Sequence, residues 1–238
     1  PDKLSCHQPH RNTLSDSSDC DHMAGTVVHM AFSGLLAAAL LGTAFDWRAV
    51  AVVVGVTALA DLDSFVALFW TAGHRATLHN FVLPALAAGV LWVDTSREDG
   101  SLIRGRWGNY GVRVAWVTIL AYAASAVALD FVSGTINPLW PIHDQYYALE
   151  GKIELSDQRG IIQTFVEFGA DGAPEGNGLG STSEVELSTG VNPDPGGSDP
   201  NPERVFPVVR SGWQLVLLVV GTVVTLARFR VSVDHTGE

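Results

Sequence analysis

The sequence predicts an all-α integral membrane protein with about five transmembrane helices and a long acidic extracytoplasmic segment containing a β-hairpin. Of the 238 residues, 47% are hydrophobic and only 16% are charged, whereas a soluble domain carries about 25% charged residues. The apolar residues form long runs, such as VAVVVGVTAL at 50–59. The acidic residues lie mostly between those runs. The net charge of -11 argues against nucleic acid as a partner.

Residues 1–22 are predicted to form a disordered N-terminal tail. They contain Cys6 and Cys20, but the spacing of these cysteines and the nearby histidines matches no zinc-binding pattern. The tail also lacks the apolar core of a signal peptide. Met23 directly precedes the first apolar stretch and is a candidate initiator, so we expect the protein to insert without residues 1–22.

Five apolar stretches approach or reach the ~20 residues that cross a bilayer. The first four belong to a predicted membrane domain over residues 23–145, and the fifth belongs to a C-terminal segment over residues 211–238. Pro84 lies inside the third stretch, where neighbouring helices can satisfy the freed backbone groups. Buried helices of a soluble protein are the alternative, which five such stretches in one small chain disfavour. The stretches are 26–45, 48–70, 78–94, 112–133 and 213–231.

Basic residues in the short connections predict the orientation, because cytoplasmic loops of membrane proteins are enriched in Lys and Arg. Three groups of arginines fall on one side of a five-span protein, which we assign to the cytoplasm. The N-terminus and the long segment 146–210 then lie outside a multi-pass protein of the cell membrane. The arginines are Arg48; Arg97, Arg104, Arg106 and Arg113; and Arg228 and Arg230.

The extracytoplasmic segment has two parts. Residues 152–156 and 161–168 are β-prone and flank a short polar turn, which predicts the hairpin. Residues 169–207 are crowded with Gly, Pro, Ser and acidic residues, so we expect them to be largely disordered. Between residues 142 and 210 there are 12 acidic and 4 basic residues. Such acidity is typical of halophilic, archaeal proteins and also of any solubilising loop.

Ionisable residues cluster at the predicted outer ends of the apolar stretches. Such side chains are costly at membrane depth, so they are candidates for function. Carboxylates and imidazoles together are also the ligands that a divalent metal ion needs. Each residue has a structural alternative, such as a helix cap, an ion pair or polar surface. The candidates are His29, Asp61, Asp63, His74, Arg75, His79, Asp130 and, more weakly, His143.

Local spacing constrains how these residues meet. Asp61 and Asp63 are two residues apart and would point about 200° apart on a regular helix. Both can serve one site only if the helix ends or unwinds near Ala60. We expect Thr77 to be the N-cap of the third helix, with His79 in its first turn. The positive end of that helix dipole would keep His79 neutral, which is the form that binds metal.

These residues resemble the pattern of a family of membrane-bound, metal-dependent hydrolases whose bacterial members include a LexA-regulated inner-membrane protein, and the acidity suggests a haloarchaeal-like member. The resemblance covers about residues 24–145. It is carried by His29, by the motif Asp61-Leu-Asp63 and by HRATLHN at 74–80, followed by LDFVSG at 129–134 and NPLWP at 137–141. The family usually has a histidine one helical turn before Asp130, where this chain has Ala126.

The resemblance implies a membrane-embedded hydrolase with a divalent metal ion, zinc or a similar one, at the outer membrane face. His29, Asp61, His74 and His79 would be the metal ligands. Asp63 or Asp130 would be a further ligand or the general base, and Arg75 would hold an anionic group of the substrate. The substrate expected at headgroup depth is a lipid or phosphoester. The rival is a non-enzymatic membrane protein whose polar cluster binds ions or holds helices together.

Overall fold

A computed structural model describes residues 24–70, 73–97, 100–149, 153–158, 160–163, 167–168, 174–175, 178–185, 187–194 and 201–234. Statements about the structure refer to these residues. The expectations for residues 1–22, including Cys6 and Cys20, lie outside them, as does Met23.

The described residues are mostly helical. They form seven α-helices, some of which are joined by short 3-10 or π-helical stretches. Two 3-10 turns follow α1 and α2, at Gly42–Ala44 and Ala60–Leu62, and a π-helical stretch at Tyr122–Ala128 joins α5 to α6. The α-helices are α1 Thr26–Leu40, α2 Trp47–Leu59, α3 Asp63–Val66, α4 Val82–Thr95, α5 Leu102–Ala121, α6 Leu129–Ser133 and α7 Gly212–Asp234.

Three helical segments are long and apolar enough to cross a membrane, which indicates a membrane protein. They are Trp47–Val66, Leu102–Ser133 and Gly212–Ser232, with 20, 32 and 21 residues. The helices α1 and α4 are apolar but have only 15 and 14 residues, fewer than the ~20 that a straight span needs. The second segment begins ten residues earlier than the predicted stretch 112–133, and Gly108 interrupts its helical geometry with a φ of 63°.

One end of the helix bundle is formed by the turn between α1 and α2. Asp46 caps α2, because its Oδ1 accepts hydrogen bonds from the backbone N–H groups of Arg48 and Ala49, both at 2.8 Å. Arg113 donates from Nε to the carbonyl of Leu40 at 3.1 Å, and Arg228 donates to the carbonyl of Gly42 at 3.4 Å. Arginines of three helices, Arg48 of α2, Arg113 of α5 and Arg228 of α7, therefore lie at this end, the arginine end of the bundle.

Helix α1 packs against α2, α5 and α7. The contact with α7 is close because it is made through small residues. A Cβ atom placed on Gly221 would lie 2.3 Å from the carbonyl oxygen of Ala31, and one on Gly34 would lie 3.0 Å from the Thr225 hydroxyl. Small residues allow such close approach in membrane helices. A second cluster of buried side chains, including Leu41, Phe45, Val53 and Val117, fills the arginine end.

Short strands lie beyond the other end of the bundle. The order β1-β2-β7 forms an antiparallel sheet, and two further antiparallel pairs are β3 with β4 and β5 with β6. The strands are β1 Thr135–Ile136, β2 Tyr146–Ala148, β3 Ile153–Ser156, β4 Gly160–Gln163, β5 Glu167–Phe168, β6 Pro174–Glu175 and β7 Gly178–Gly180.

Part of the region expected to be disordered is ordered by packing. Strand β7 pairs with β2, and Val185 and Leu187 are buried together with Ala76 and Tyr146. Composition alone did not predict this order. Two apolar side chains among many polar ones are enough to order a segment when another surface of the protein covers them. Strands β1, β2 and β7, the residues between β1 and β2, and residues 181–185 and 187 form a cap over the loop 73–81, which lies between α3 and α4 and carries His74 and His79.

Candidate metal centre

Four of the candidate residues come from four different segments but lie at one end of the bundle, opposite the arginine end. His29 is in the first turn of α1, Asp61 follows α2, His79 lies in the loop 73–81, and Asp130 lies in α6. The predicted unwinding near Ala60 is confirmed, because α2 ends at Leu59 and continues as a 3-10 turn. That change of helix type turns Asp61 toward the histidines.

His29, Asp61 and His79 form a compact triad. Each offers one ligand atom, and the three atoms lie within 4.8 Å of one another. The side chains of His29 and His79 are almost fully buried, with 1% and 0% of their surface exposed, and Asp61 is partly buried. A buried His-Asp-His group of this size could bind a metal ion.

The backbone fixes the tautomer of His29. Its Nδ1 lies in a short hydrogen bond with the carbonyl oxygen of Ser125. A carbonyl only accepts, so Nδ1 carries the proton and the Nε2 lone pair is free when the ring is neutral. The Ser125 carbonyl lies in the π-helical stretch, whose i→i+5 pattern displaces carbonyls from the ordinary helical ladder. Nε2 faces Asp130, with 3.2 Å between Nε2 and Oδ1.

A carboxylate fixes the tautomer of His79 in the same way. Nδ1 donates to Oδ2 of Asp63 at 2.7 Å, so Nε2 is left to face the centre. Nε2 lies 3.4 Å from Oδ1 of Asp61 and 3.4 Å from Oδ2 of Asp130. A carboxylate that orients a histidine from behind is the usual second layer of a protein metal site.

Several buried polar atoms at this centre lack a hydrogen-bond partner among the described residues. They are Nε2 of His29, Nε2 of His79, Oδ2 of Asp61, both carboxylate oxygens of Asp130 and Nη1 of Arg75. Such atoms are rare in folded proteins, because each forfeits the hydrogen bonds that it made in water. Most of them are lone-pair donors that face one another, so a cation placed between them would satisfy them together.

Buried charge supports the same conclusion. Asp61, Asp63 and Asp130 contribute three negative charges and Arg75 contributes one positive charge, which leaves a net charge of -2 when the imidazoles are neutral. Burial alone would lower the pKa of His79, but the nearby Asp63, Asp61 and Asp130 raise it to about 10. The expectation that a helix dipole keeps His79 neutral was wrong, because α4 begins only at Val82.

The start of α4 also differs from the expectation. Thr77 is not the N-cap; its hydroxyl donates to the carbonyl of Gly73 at 3.0 Å. The N-cap is Phe81, and the preceding residue, Asn80, accepts at Oδ1 from the backbone N–H of Leu83 at 3.0 Å. Sequence could not separate Thr77 from Asn80, because Asn and Thr are both good helix caps.

His74 is not brought to the triad, which corrects its expected role as a metal ligand. Its Nδ1 donates to Oδ1 of Asp63 at 2.7 Å, and its Nε2 accepts from Nε of Arg75 at 3.3 Å. Both ring nitrogens are therefore occupied. Burial lowers the pKa of His74, an effect that the bond to Asp63 only partly offsets. His74 is thus a neutral ring that orients Asp63 and Arg75.

Asp63 is likewise an orienting carboxylate in this geometry and not a free base. Its Oδ1 accepts from His74, and its Oδ2 accepts from the ring of His79 and from the backbone N–H of Arg75, the latter at 2.9 Å. It is fully buried. Of the two expected catalytic carboxylates, only Asp130 keeps unpartnered oxygens.

Arg75 adopts a backbone conformation that few residues other than glycine adopt, with a φ of 62°. Strained conformations of this kind cluster at functional sites. Here the conformation lets the backbone N–H of Arg75 reach Asp63 while its side chain reaches Asp130, with 3.2 Å between Nη1 and Oδ2. Asn137 supports the turn, because its backbone N–H donates to the Arg75 carbonyl at 2.9 Å.

The cap holds this loop from outside. The Tyr146 hydroxyl donates to the carbonyl of His74 at 3.1 Å. Asn137 donates from Nδ2 to Asp144 at 2.7 Å, and Asp144 accepts from the backbone N–H and the hydroxyl of Thr182. His143 stays outside the centre, exposed, with Nε2 2.9 Å from the Tyr147 hydroxyl.

Two imidazoles and one carboxylate, from His29, His79 and Asp61, form a donor set that could bind a metal ion. Asp130 lies beside this set, with Oδ1 3.2 Å from Nε2 of His29 and Oδ2 3.4 Å from Nε2 of His79. Ala126, at the position of the family's extra histidine, is buried in the π-helical stretch and supplies no ligand.

No protein-family model, curated protein or solved structure among those compared with this chain matches it. What the centre does therefore has to follow from its own geometry.

Proposed function

We propose that this protein is a membrane-embedded, metal-dependent hydrolase. The observation that carries the proposal is the buried triad of His29, Asp61 and His79, whose ligand atoms lie within 4.8 Å of one another and each of which has a polar atom without a hydrogen-bond partner among the described residues. The ion is zinc or a similar divalent metal. The resemblance to the membrane-bound metal-dependent hydrolases supports the same function, since three residues of its motif, His29, Asp61 and His79, meet here.

The proposed topology has five spans in the cell membrane, with α1 and α4 as short spans beside the three long ones. The arginine end faces the cytoplasm and the centre faces outward. Arg48, Arg113 and Arg228 lie at the arginine end, while the cap lies beyond the centre. This arrangement follows the enrichment of basic residues in cytoplasmic loops.

Each residue has a proposed role. His29, Asp61 and His79 would hold a divalent ion, which would supply Lewis acidity and make water a nucleophile near neutral pH. Asp130 is then not a ligand but the general base that would accept a proton from that water. Arg75, 3.2 Å from Asp130, would stabilise negative charge on the oxygens of the attacked phosphate or acyl group. Asp63 and His74 hold His79 and Arg75 in place.

Metal analysis of the purified protein tests the proposal. We expect the wild type to contain about one zinc or similar ion per chain after purification without added chelator. The variant His79→Ala removes one ligand and should lose the metal. The control His143→Ala alters an exposed histidine outside the centre and should keep it. Wild-type protein that takes up no divalent metal, even when metal is supplied, would overturn the proposal.

The alternative function is a structural cluster in which His29 and His79 carry protons and pair with the carboxylates. The raised pKa of His79 favours that state when no metal is present. Carbon-13 NMR of the imidazole groups separates the two possibilities, because protonated rings have distinct carbon shifts. Imidazolium signals that persist when zinc is added would assign the cluster to helix association.

A further inference from the structure

An apolar groove lies beside the metal centre, between α2, α4 and α5. Its volume is about 280 Å³, close to the lower limit of roughly 300 Å³ for small-molecule pockets. Val56, Leu59, Leu83, Ala87, Ile119 and Tyr122 are among the residues that line it. The walls belong to two of the long apolar segments and to the apolar helix α4.

The two polar side chains of the groove are turned away from its interior. The Thr118 hydroxyl donates to the carbonyl of Val114 at 2.8 Å. The Tyr122 hydroxyl donates to the carbonyl of Leu78 in a short hydrogen bond. Both hydroxyls are thus satisfied by backbone, so the groove presents hydrocarbon to an occupant and has no group that would orient a polar one.

The groove and the metal centre are built from neighbouring residues of the chain. Ala60 and Leu78 line the groove, and each immediately precedes a member of the triad, Asp61 and His79. Tyr122 lines the groove and also begins the π-helical stretch that contains Ser125, the partner of His29. A molecule could therefore place its polar end at the centre and its apolar part in the groove.

The groove is also open at its rim. Leu59 and Leu83 are 53% and 38% exposed, on helices that would face lipid in a bilayer. A lipid already in the membrane reaches the groove directly from the side. A molecule dissolved in water would first have to cross the headgroup region.

We propose that this groove binds one hydrocarbon chain of a membrane lipid whose ester or phosphoester group lies at the metal centre. The inference rests on the proposed function and specifies its substrate class. A volume of about 280 Å³ accommodates part of a single chain, so the substrate is recognised by one chain and not by two.

A photoactivatable probe tests the groove independently of catalysis. The probe is hexadecyl phosphate carrying a diazirine near the end of its chain, added to the purified protein with and without zinc. Peptide mapping should place the cross-links on the groove residues of α2, α4 and α5. The variant Ala87→Phe fills the groove and should reduce this labelling about tenfold, which is what the lost burial of roughly two methylene groups would give.

The matched control is Ala85→Phe, which makes the same change at an exposed position of α4 that does not line the groove. It should label like the wild type. Leu83→Trp is a second groove-filling variant for use if Ala87→Phe does not fold. Metal content is measured in every sample, so the two proposals fail separately.

The outcomes are distinct. Groove labelling in a protein that takes up no metal would keep the chain-binding site and overturn the hydrolase. Full metal content with labelling that is spread over α7 and unaffected by Ala87→Phe would overturn the groove alone. Loss of a dimer in Ala87→Phe but not in Ala85→Phe would assign the groove to a second copy of this chain, which also overturns the proposal.

Discussion

At the scale of single residues, the histidines of the centre differ in what their second ring nitrogen contacts. Nδ1 of His29 donates to a backbone carbonyl, and Nδ1 of His79 donates to a carboxylate, so that Nε2 of each ring faces the centre. His74 uses both nitrogens in the surrounding layer. This difference separates ligands from orienting residues and leads to two predictions.

The first prediction concerns His74. Because His74 is not a ligand in this geometry, His74→Ala should still bind one metal ion per chain. Its affinity should fall by about 10- to 100-fold, the usual effect of losing a second-layer partner. Titration of metal-free protein with zinc measures this. If His74→Ala binds no metal while retaining its fold, the sequence-based assignment of His74 as a ligand is correct after all.

The second prediction concerns Asp63, which accepts hydrogen bonds from His74, Arg75 and His79. Asp63→Asn removes the charge and leaves at least one of those donors facing an amide N–H. Metal affinity should drop by roughly 100-fold, the upper end for second-layer changes. Asp46→Asn is the control, since Asn is an equally good helix cap at the arginine end. Equal affinities in the two variants would show that Asp63 has no orienting role.

Much of the centre could be predicted from sequence because ionisable residues at the ends of apolar stretches are conspicuous. His29, Asp61, His79 and Asp130 belong to the predicted set and do meet. The carbonyl of Ser125 could not be predicted, since every residue has a carbonyl and only the π-helical turn presents this one. The role of His74 could not be predicted either, because spacing does not fix the side-chain rotamers that set its contacts.

At the scale of elements, the helices follow the apolar stretches, while their ends follow local chemistry. The end of α2 was predicted from the need for two nearby aspartates to serve one site. The start of α4 was placed too early, because Thr77 and Asn80 are both good caps. The strand β7 was missed, because its order comes from the distant strand β2 and not from its own residues.

The close contact between α1 and α7 predicts an asymmetry between two glycines. Gly221→Ala puts a methyl group 2.3 Å from the carbonyl oxygen of Ala31, so backbone must move and stability should fall by about 1–3 kcal/mol. Gly55→Ala meets nothing within 4 Å and should be neutral or stabilising by up to about 1 kcal/mol. Unfolding in detergent by heat or denaturant compares them. Equal stabilities would contradict the packing of α7 on α1.

At the scale of the whole molecule, the two ends of the bundle differ in charge and covering. At the arginine end, the side chains of Arg113 and Arg228 donate hydrogen bonds to backbone carbonyls of the turn between α1 and α2. The end with the metal centre is covered by the cap. The proposed topology therefore places Ser183 outside the cell and Ser96 inside.

Labelling tests this placement in chains whose Cys6 and Cys20 are replaced by serine. Ser183→Cys should react with a membrane-impermeant thiol reagent in intact cells. Ser96→Cys, on an exposed turn after α4, should react only after lysis. The reverse pattern would invert the orientation, and reaction of both residues in intact cells would contradict an odd number of spans between them.

The origin of the centre from four segments also sets the order in which it matures during synthesis. His29, Asp61 and His79 have all been translated by the end of the loop 73–81, but Ser125 follows His29 by 96 residues. At roughly 5–20 residues per second, the ribosome needs roughly 5–20 s to proceed from His29 to Ser125. Until then, the carbonyl that fixes the tautomer of His29 does not exist. From the synthesis of His79 until the end of this interval, the triad has all its ligands but neither the Ser125 carbonyl nor Asp130. A chain stalled on the ribosome after α4 should therefore hold zinc weakly, and firm retention should begin only once α6 has been released.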